Sequence, residues 1–399
     1  MKKIIIVCDS YERFDFFYRL YSSLSSELYK IIIITDKFGI WLQAKRKKIT
    51  CYMTKSVFSS GDTDTDIDLN NTLEIKLDIT NKHNAILYYQ SFYKILTDVN
   101  NIYGKIDVIF IWNGSGIVGS VIRDFCQAFQ IKKCFFEISN LPGKIFVDPN
   151  GVNAQSSIFF NPNLLDEYEV VSDEEYSAWV EKYKIEKSNK GVPQAKKARN
   201  INYYGIFDIL FKKITHKPDN DSRTIYKRFE SKLKSKKIEF IDSDYDYINN
   251  EYIFLPFQVC NDSQIKINSN VNNEQALNIA YEYARSRSFD LLIKIHPAET
   301  NVEFIKYIKE FIRDKKIYIS TFDSNELILR SNEIFVINST VGLEAMILDK
   351  KVNVLGNAIY KNMNNEYLKK FIFHYLINID YFSDDKIDKS LMDELMARI

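Results

Sequence analysis

Three short segments place polar or ionisable side chains directly after an apolar run: Phe257-Gln258-Val259-Cys260-Asn261-Asp262-Ser263-Gln264, Lys294-Ile295-His296-Pro297 and Asn338-Ser339-Thr340-Val341-Gly342. The last offers two hydroxyls, Ser339 and Thr340, where a helix must begin, and the unpaired amides of a first helical turn attract anions. Gly342 permits close approach of the helix or a ligand, and Glu344, one turn on, is placed to bond a ribose hydroxyl or to face solvent. A plain serine cap has the same pattern. In the middle segment Pro297 stops a strand, leaving Lys294 and His296 at its end. There an imidazole can donate to a phosphate or to a departing oxygen, or simply cap the turn. In the first segment Asp262 is a candidate nucleophile or base, with an Asx-turn as the structural alternative.

The N-terminal half carries a second group. Trp112-Asn113-Gly114-Ser115-Gly116, Glu137-Ile138-Ser139-Asn140-Leu141-Pro142-Gly143 and Asp148-Pro149-Asn150-Gly151-Val152-Asn153 follow apolar runs closely. With only 12 Gly and 7 Pro in the chain, such clustering marks shaped loops. Glu137 is a candidate general acid or base, or part of a structural hydrogen-bond network. Asp62-Thr63-Asp64 has a metal-binding spacing but no flanking strand, and reads as a solvated acidic loop. No His-x-x-x-His or Cys/His cluster accompanies it, so no metal or cofactor is expected. No P-loop exists and no G-x-G-x-x-G follows the first strand, which leaves nucleoside triphosphate hydrolysis and NAD binding unsupported.

The elements that must position these residues follow from apolar periodicity. Strands are expected at 4–7, 31–35, 107–112 and 133–137, with helices at 12–29, 84–99 and 115–129 between them. Ser172-Asp173-Glu174-Glu175 opens a helix to about Lys187, followed by a loop to Asn200 and a basic, helix-compatible stretch from Phe207 to Lys237. A second series has strands at 252–256, 289–295, 317–320, 333–337 and 352–355, and helices at 273–286, 300–313 (capping box at Thr300), 325–330, 340–348 and 366–377. Alternation of strand and helix predicts doubly wound parallel sheets. The fold class is α/β, with two Rossmann-like domains and a cleft between them, the architecture called GT-B in glycosyltransferases. The expected division is a Rossmann-like domain over 1–190, a linker or insertion over 191–245, and a second Rossmann-like domain over 246–399 whose last helix is able to pack back on the first domain. Ligands of such sheets bind beyond the carboxyl ends of the strands, where the polar segments fall.

Lys plus Arg number 54 against 53 Asp plus Glu, a balance that points away from nucleic acid. The five cysteines are scattered, as for reduced thiols in a cytoplasmic protein. The run Ile4–Val7 is too short for a signal peptide and no 18-residue apolar run exists, so the expected location is the cytoplasm, with room for peripheral attachment at the inner face of the membrane.

In order and spacing, Glu137…Leu141-Pro142-Gly143, the Asp148–Asn153 segment, Pro256-Phe257-Gln258…Asp262-Ser263-Gln264, Lys294–Pro297 and Asn338–Ala345 resemble the capsule polysaccharide synthesis family of bacterial transferases, which includes the retaining β-Kdo transferases. The resemblance spans about Trp112 to Tyr360. It implies a CMP-activated 2-keto sugar acid donor, most often CMP-Kdo, and a surface glycan or glycolipid acceptor, with capsule assembly proteins or the membrane as peripheral partners. It also implies double displacement with Asp262 as nucleophile and Glu137 as acid/base. His296, Lys294, Pro297, Asn338, Ser339, Thr340 and Gly342 match the CMP site, and Glu344 a ribose contact. Asn113, Asp148, Asn153, Gln258 and Gln264 are the expected donor and acceptor pocket. The basic insertion between Asn153 and Tyr252 departs from the family pattern and leaves the acceptor side open. Two other readings stay open: a UDP-sugar transferase or epimerase of the same shape, and a catalytically silent glycan-assembly subunit.

Overall fold

The computed structural model describes residues 1–54, 67–189, 208, 243–313 and 315–399. The acidic stretch at Asp62–Asp66 lies outside the described residues, as do residues 191–242 of the expected 191–245 linker and with them the helix-compatible stretch over 207–237, apart from residue 208.

The chain forms two compact units, Met1–Asp221 with Lys369–Ile399, and Ser222–Leu368. Unit 1 holds a six-stranded sheet in the order β3-β2-β1-β4-β5-β6. The strands are β1 (Lys2–Val7), β2 (Tyr29–Thr35), β3 (Thr50–Met53), β4 (Val108–Trp112), β5 (Lys132–Ile138) and β6 (Ile145–Asp148). All neighbours are parallel except β5 and β6. The central strands are near-continuous Ile, Val and Phe runs because helices cover both faces of the sheet. Ile4, Ile5, Ile32, Ile34, Val108, Ile109 and Phe110 are fully buried.

Unit 2 holds five parallel strands in the order β11-β10-β7-β8-β9: β7 (Tyr252–Pro256), β8 (Asp290–Lys294), β9 (Ile317–Ile319), β10 (Glu333–Val336) and β11 (Lys351–Val354). Both sheets have the Rossmann order: β1 and β4 run parallel, as do β7 and β10, and the direction in which successive strands are added reverses between β1 and β4 in one sheet and between β7 and β10 in the other. Those reversals open a crevice at the carboxyl ends of the strands.

The C-terminal end of the expected 246–399 segment, whose last helix is expected to be able to pack back on the first domain, clusters with unit 1. Residues after Lys369 belong to unit 1, where Ile145 and Ile377 exchange both backbone hydrogen bonds (2.9 and 3.0 Å) and Leu391, Met392 and Leu395 enter the core beside Phe14 and Phe17. The helix expected over 12–29 ends at Tyr21, capped by Ser10, and Ser23 turns the chain by bonding the Leu20 carbonyl. The helix from Asp173 runs to Asn189, past the loop expected from Lys187. Asn301, one residue after the expected Thr300, caps the helix Val302–Phe311 by accepting from the Glu303 and Phe304 amides. In place of one helix over 366–377 there is a helix Asn365–Lys370 followed by a π-helical turn, Phe371–Tyr375. No helix among the described residues is long and apolar enough to cross a membrane.

Candidate functional site

In unit 2 the two strands flanking the reversal are joined just past their ends by side chains. Gln258, after β7, donates through Nε2 to Asn338 Oδ1 at 3.0 Å, and Asn338, after β10, returns its backbone N–H to Gln258 Oε1 at 3.3 Å. Asn338 Nδ2 also donates to the Gln264 carbonyl at 2.8 Å. This amide lattice forms the floor of a cavity of ≈ 260 Å³ whose walls include Asp262, Lys294, His296, Pro297, Ser339 and Thr340. Nine sequence candidates, Gln258, Asp262, Gln264, Lys294, His296, Pro297, Asn338, Ser339 and Thr340, therefore meet in one place.

Each wall has a physical reason for its position. Ser339 caps the helix Thr340–Ile347, its Oγ accepting from the Val341 amide at 3.2 Å. The first amide, that of Thr340, is left to an outside acceptor, and the exposed Thr340 hydroxyl stands beside it. No acidic residue occupies the first turn, so the positive end of the helix dipole faces the cavity unopposed from within the helix. His296 Nδ1 accepts from the Ala298 amide at 3.1 Å. That bond places the proton of a neutral imidazole on Nε2, which makes Nε2 a donor. Lys294 Nζ donates to the Phe322 carbonyl at 2.5 Å, which ties the β8 end to the loop after β9.

Asp262 caps the helix Ser263–Asn268, its Oδ1 accepting from the Gln264 amide at 2.7 Å. The Asx-type cap and the cavity position hold together, because a carboxylate has a second oxygen. The loop itself is pinned by Glu299, which sequence reading did not single out. Glu299 accepts from the Cys260 amide at 2.7 Å through one oxygen, and through the other from the Thr300 and Asn301 amides at 2.8 Å each. Its position, three residues past His296 at the start of a helix, is the only signal it gives in sequence.

Two of the unit 2 candidates, Gly342 and Glu344, are not on the cavity wall. A Cβ at Gly342 would lie 2.3 Å from the Tyr360 hydroxyl and 2.8 Å from Cζ of its ring. The glycine thus makes room for a buried tyrosine that donates to the Ser339 carbonyl. Gly342→Ala should lower stability by about 1–3 kcal/mol, the usual cost of overpacking, and weaken ligand binding at Ser339. Unchanged melting of the variant would refute this role. Glu344 also lies off the cavity wall. Burial, and after it the Glu344 charge, raises the Tyr360 hydroxyl above the usual tyrosine range.

In unit 1, Glu137 Oε2 accepts from Asn113 Nδ2 at 2.6 Å and Oε1 from the Ile138 amide at 3.0 Å. Asn113 adopts φ 64° and also holds the Ser115 amide through Oδ1 at 3.0 Å. Burial pushes the Glu137 carboxyl above its usual range, partly offset by the Asn113 and Ile138 hydrogen bonds and the nearby Arg13 guanidinium. Arg13 pairs with Asp9, just past β1, and lies 5.8 Å above the Trp112 ring. Neither Asp9 nor Arg13 stood out in sequence, since the residues bracketing Ser10 look like ordinary cap neighbours.

Unit 1 also has a helix beginning at its strand reversal, Ile117–Phe129. Its N-terminus is occupied from within: Glu74 Oε2 accepts from the Ile117 amide at 2.9 Å, and a Cβ at Gly116 would meet Glu74 Oε1 at 2.5 Å. Burial raises the Glu74 carboxyl, partly offset by backbone hydrogen bonds including the Ile117 amide. The chain's own carboxylate sits where a phosphate would sit in a nucleotide-binding half, whereas the matching helix of unit 2 carries no acid in its first turn.

The expected pocket role of Asp148 is corrected. It is fully buried, and accepts from the amides of Asn150 (2.7 Å), Gly151 (3.1 Å) and Ser157 (2.8 Å), the Ser157 hydroxyl (3.1 Å) and the Tyr375 hydroxyl (2.7 Å). A carboxylate so saturated is a scaffold for its loop. Asn153, at φ 53°, makes a turn in which its carbonyl accepts from the Ser156 hydroxyl at 2.7 Å.

These two geometries can be set beside known proteins. The chain is 24% identical over 265 residues to protein FixF of Sinorhizobium fredii, covering 63% of this chain and 49% of that protein. It is 26% identical over 161 residues to the capsule polysaccharide export protein KpsS of Escherichia coli, covering 38% of this chain and 41% of KpsS. The chain thus matches about half or less of these curated relatives' length. Among solved structures it is similar to the β-Kdo 2,7 transferase of Thermosulfurimonas dismutans KpsC, with 12% identity, TM-score 0.48 and coverage of 99% of this chain and 98% of that one. It is also similar to the UDP-GlcNAc 2-epimerase of Methanocaldococcus jannaschii, with 14% identity, TM-score 0.29 and full coverage of both, 100% and 100%. A family model described as capsule polysaccharide biosynthesis protein matches residues 122–364, more than half of the chain, and the protein belongs to that family.

Proposed function

We propose that this chain is a glycosyltransferase that moves a 2-keto sugar acid, Kdo, from its CMP-activated form to a growing bacterial surface glycan or its lipid-linked primer. The observation that carries this reading is the unit 2 cavity. A helix N-terminus with two hydroxyls, an imidazole whose Nε2 is set as a donor, and the Asp262 carboxylate share its wall.

The chemistry asks for these groups. The bond from the anomeric carbon to the CMP phosphate breaks with the electron pair on a phosphate oxygen, so fixed donors at that oxygen lower the barrier. His296 Nε2–H, the Ser339 and Thr340 hydroxyls and the Thr340 amide supply them. The anomeric carbon passes through an oxocarbenium-like state that a carboxylate stabilises and then captures. Asp262 is the proposed nucleophile, forming a glycosyl ester as CMP leaves. The acceptor hydroxyl then attacks the same carbon, Asp262 is released, and Glu137 takes the hydroxyl proton. The net outcome is retention. No step needs a metal, and activity in EDTA is expected.

The test is nucleotide choice followed by loss of the cradle. CMP should raise the melting temperature and UDP or ADP should not. Ser339→Ala with Thr340→Ala should weaken CMP binding roughly tenfold, as expected for two hydrogen bonds of about 0.5–1.5 kcal/mol each. Equal stabilisation by UDP would overturn the CMP assignment. An unchanged dissociation constant in the folded double variant would reduce the motif to a helix cap.

A further inference from the structure

A second cavity, of ≈ 380 Å³, lies wholly within unit 1 and has no part in the chemistry above. Its charged centre is Arg123, from the helix Ile117–Phe129. The guanidinium lies 4.6 Å from the Phe135 ring, donates through Nη1 to the Gly114 carbonyl at 2.8 Å, and through Nη2 to Gln155 Oε1 at 3.2 Å. A guanidinium has five N–H donors, so these bonds orient it without exhausting it. The neighbouring carboxylate, Asp124, accepts from the Tyr89 hydroxyl at 2.6 Å, and none of the ion pairs among the described residues includes Arg123. A half-buried guanidinium in that state favours an outside anion.

The loops around Arg123 are shaped to present it. The bonds to Asp148 hold the turn that brings Asn150 and Gln155 to the cavity wall. A Cβ at Gly151 would lie 2.8 Å from Gln155 Cβ, and one at Gly119 only 1.9 Å from the Gly114 carbonyl oxygen that Arg123 holds. The Asp148–Gly151 motif and the Asn113–Gly116 loop thus converge on this pocket. The rest of the lining is of the kind that holds sugars. Ser120 offers a hydroxyl, Asp68 at the exposed rim can accept from sugar hydroxyls, and Phe160, 72% exposed, offers an apolar ring face.

We propose that this pocket is a saccharide subsite that grips one acidic sugar unit of the acceptor glycan, with Arg123 on its carboxylate or phosphate and Phe160 against its apolar face. As an acceptor subsite it rests on the transferase reading, but sugar binding itself is measured without turnover or CMP. The experiment is saturation-transfer NMR of the whole chain with methyl glucuronide, glucose 6-phosphate and the neutral methyl glucoside. At least one acidic probe should bind, and the neutral one should bind at least about tenfold more weakly, as expected for loss of a charge-assisted hydrogen bond. Preference between the acidic probes tells a carboxylate from a phosphate.

Arg123→Gln should abolish the preference, but it also removes the bond to Gly114. Ser120→Glu avoids that problem: it sets a carboxylate three residues from Arg123 on the same helix, where an ion pair supports the fold, and it should expel the acidic probes. Binding of all three probes alike, binding of none, or acidic binding that survives Ser120→Glu would each overturn the subsite. Such a failure leaves the nucleotide result untouched, and failure of CMP to stabilise the protein would strike the transferase reading while leaving sugar binding in place.

Discussion

Asp262→Asn should give a folded protein that binds CMP normally and transfers sugar several orders of magnitude more slowly than the parent. The structure makes this substitution unusually clean. Asp262 has a scaffolding task, capping Ser263–Asn268 through Oδ1 and the Gln264 amide, and asparagine caps helices as well as aspartate does. The amide oxygen of the variant can keep that bond. What it cannot do is attack the anomeric carbon with a negative charge. A loss of transfer at unchanged melting temperature and unchanged CMP affinity therefore belongs to the nucleophile and not to the cap. Asp262→Ala should lose the cap as well, at a cost of about 0.5–2 kcal/mol, and so separates the two roles. Near-parental transfer by the asparagine variant would remove Asp262 from the mechanism and leave it a cap.

The unit 2 cavity was legible in sequence because its walls obey local rules. A strand of β-branched and apolar residues ends at Lys294 or Val336, a proline or a serine cap follows, and the polar side chain at that break is carried to the strand's carboxyl end. What sequence could not order is the reach between breaks. The Gln258–Asn338 pair joins residues 80 apart, and it exists only because β7 and β10 are neighbours in the sheet. Glu299 was silent for the same reason, since its partner Cys260 lies 39 residues away.

Elements lost to the reading were short or irregular. β3 has a single buried position, Cys51, and β6 pairs antiparallel with β5, outside the strand–helix alternation on which the reading relied. Sequence allows for the return of Lys369–Ile399 to unit 1 only in a last helix; the Ile145–Ile377 pairing joins residues far apart in the chain and could not be read from local pattern. Asp148 shows the opposite failure. A conspicuous motif suggested a ligand contact, but the carboxylate is consumed by five donors of its own chain, and the motif's value lies in the residues it presents, Asn150 and Gln155.

Glu137→Gln should slow transfer by about 10²–10⁴, the usual worth of a positioned proton acceptor, and should change the pH dependence in two opposite ways. A base must be ionised to work. Because burial raises the Glu137 carboxyl above the usual carboxylate range, the acidic limb of the parent's kcat profile should lie above that range and should vanish in the variant. Stability runs the other way. A carboxyl whose folded pKa exceeds its unfolded value binds its proton more tightly in the native state. Its contribution to stability is fully present below the unfolded value and is lost as pH rises through the folded one. The melting temperature of Glu137→Gln relative to the parent should therefore climb as pH is raised through that window. A purely structural carboxylate would show the stability trend without the kinetic limb, so the two measurements together decide its role. With donor and acceptor both present, the variant should also accumulate a covalent sugar on Asp262 that the parent turns over, visible as a mass gain of one sugar and mapped by digestion, because the second displacement has lost its base. An acidic limb unchanged by the substitution, or an adduct on any other residue, would show that the proton is taken elsewhere.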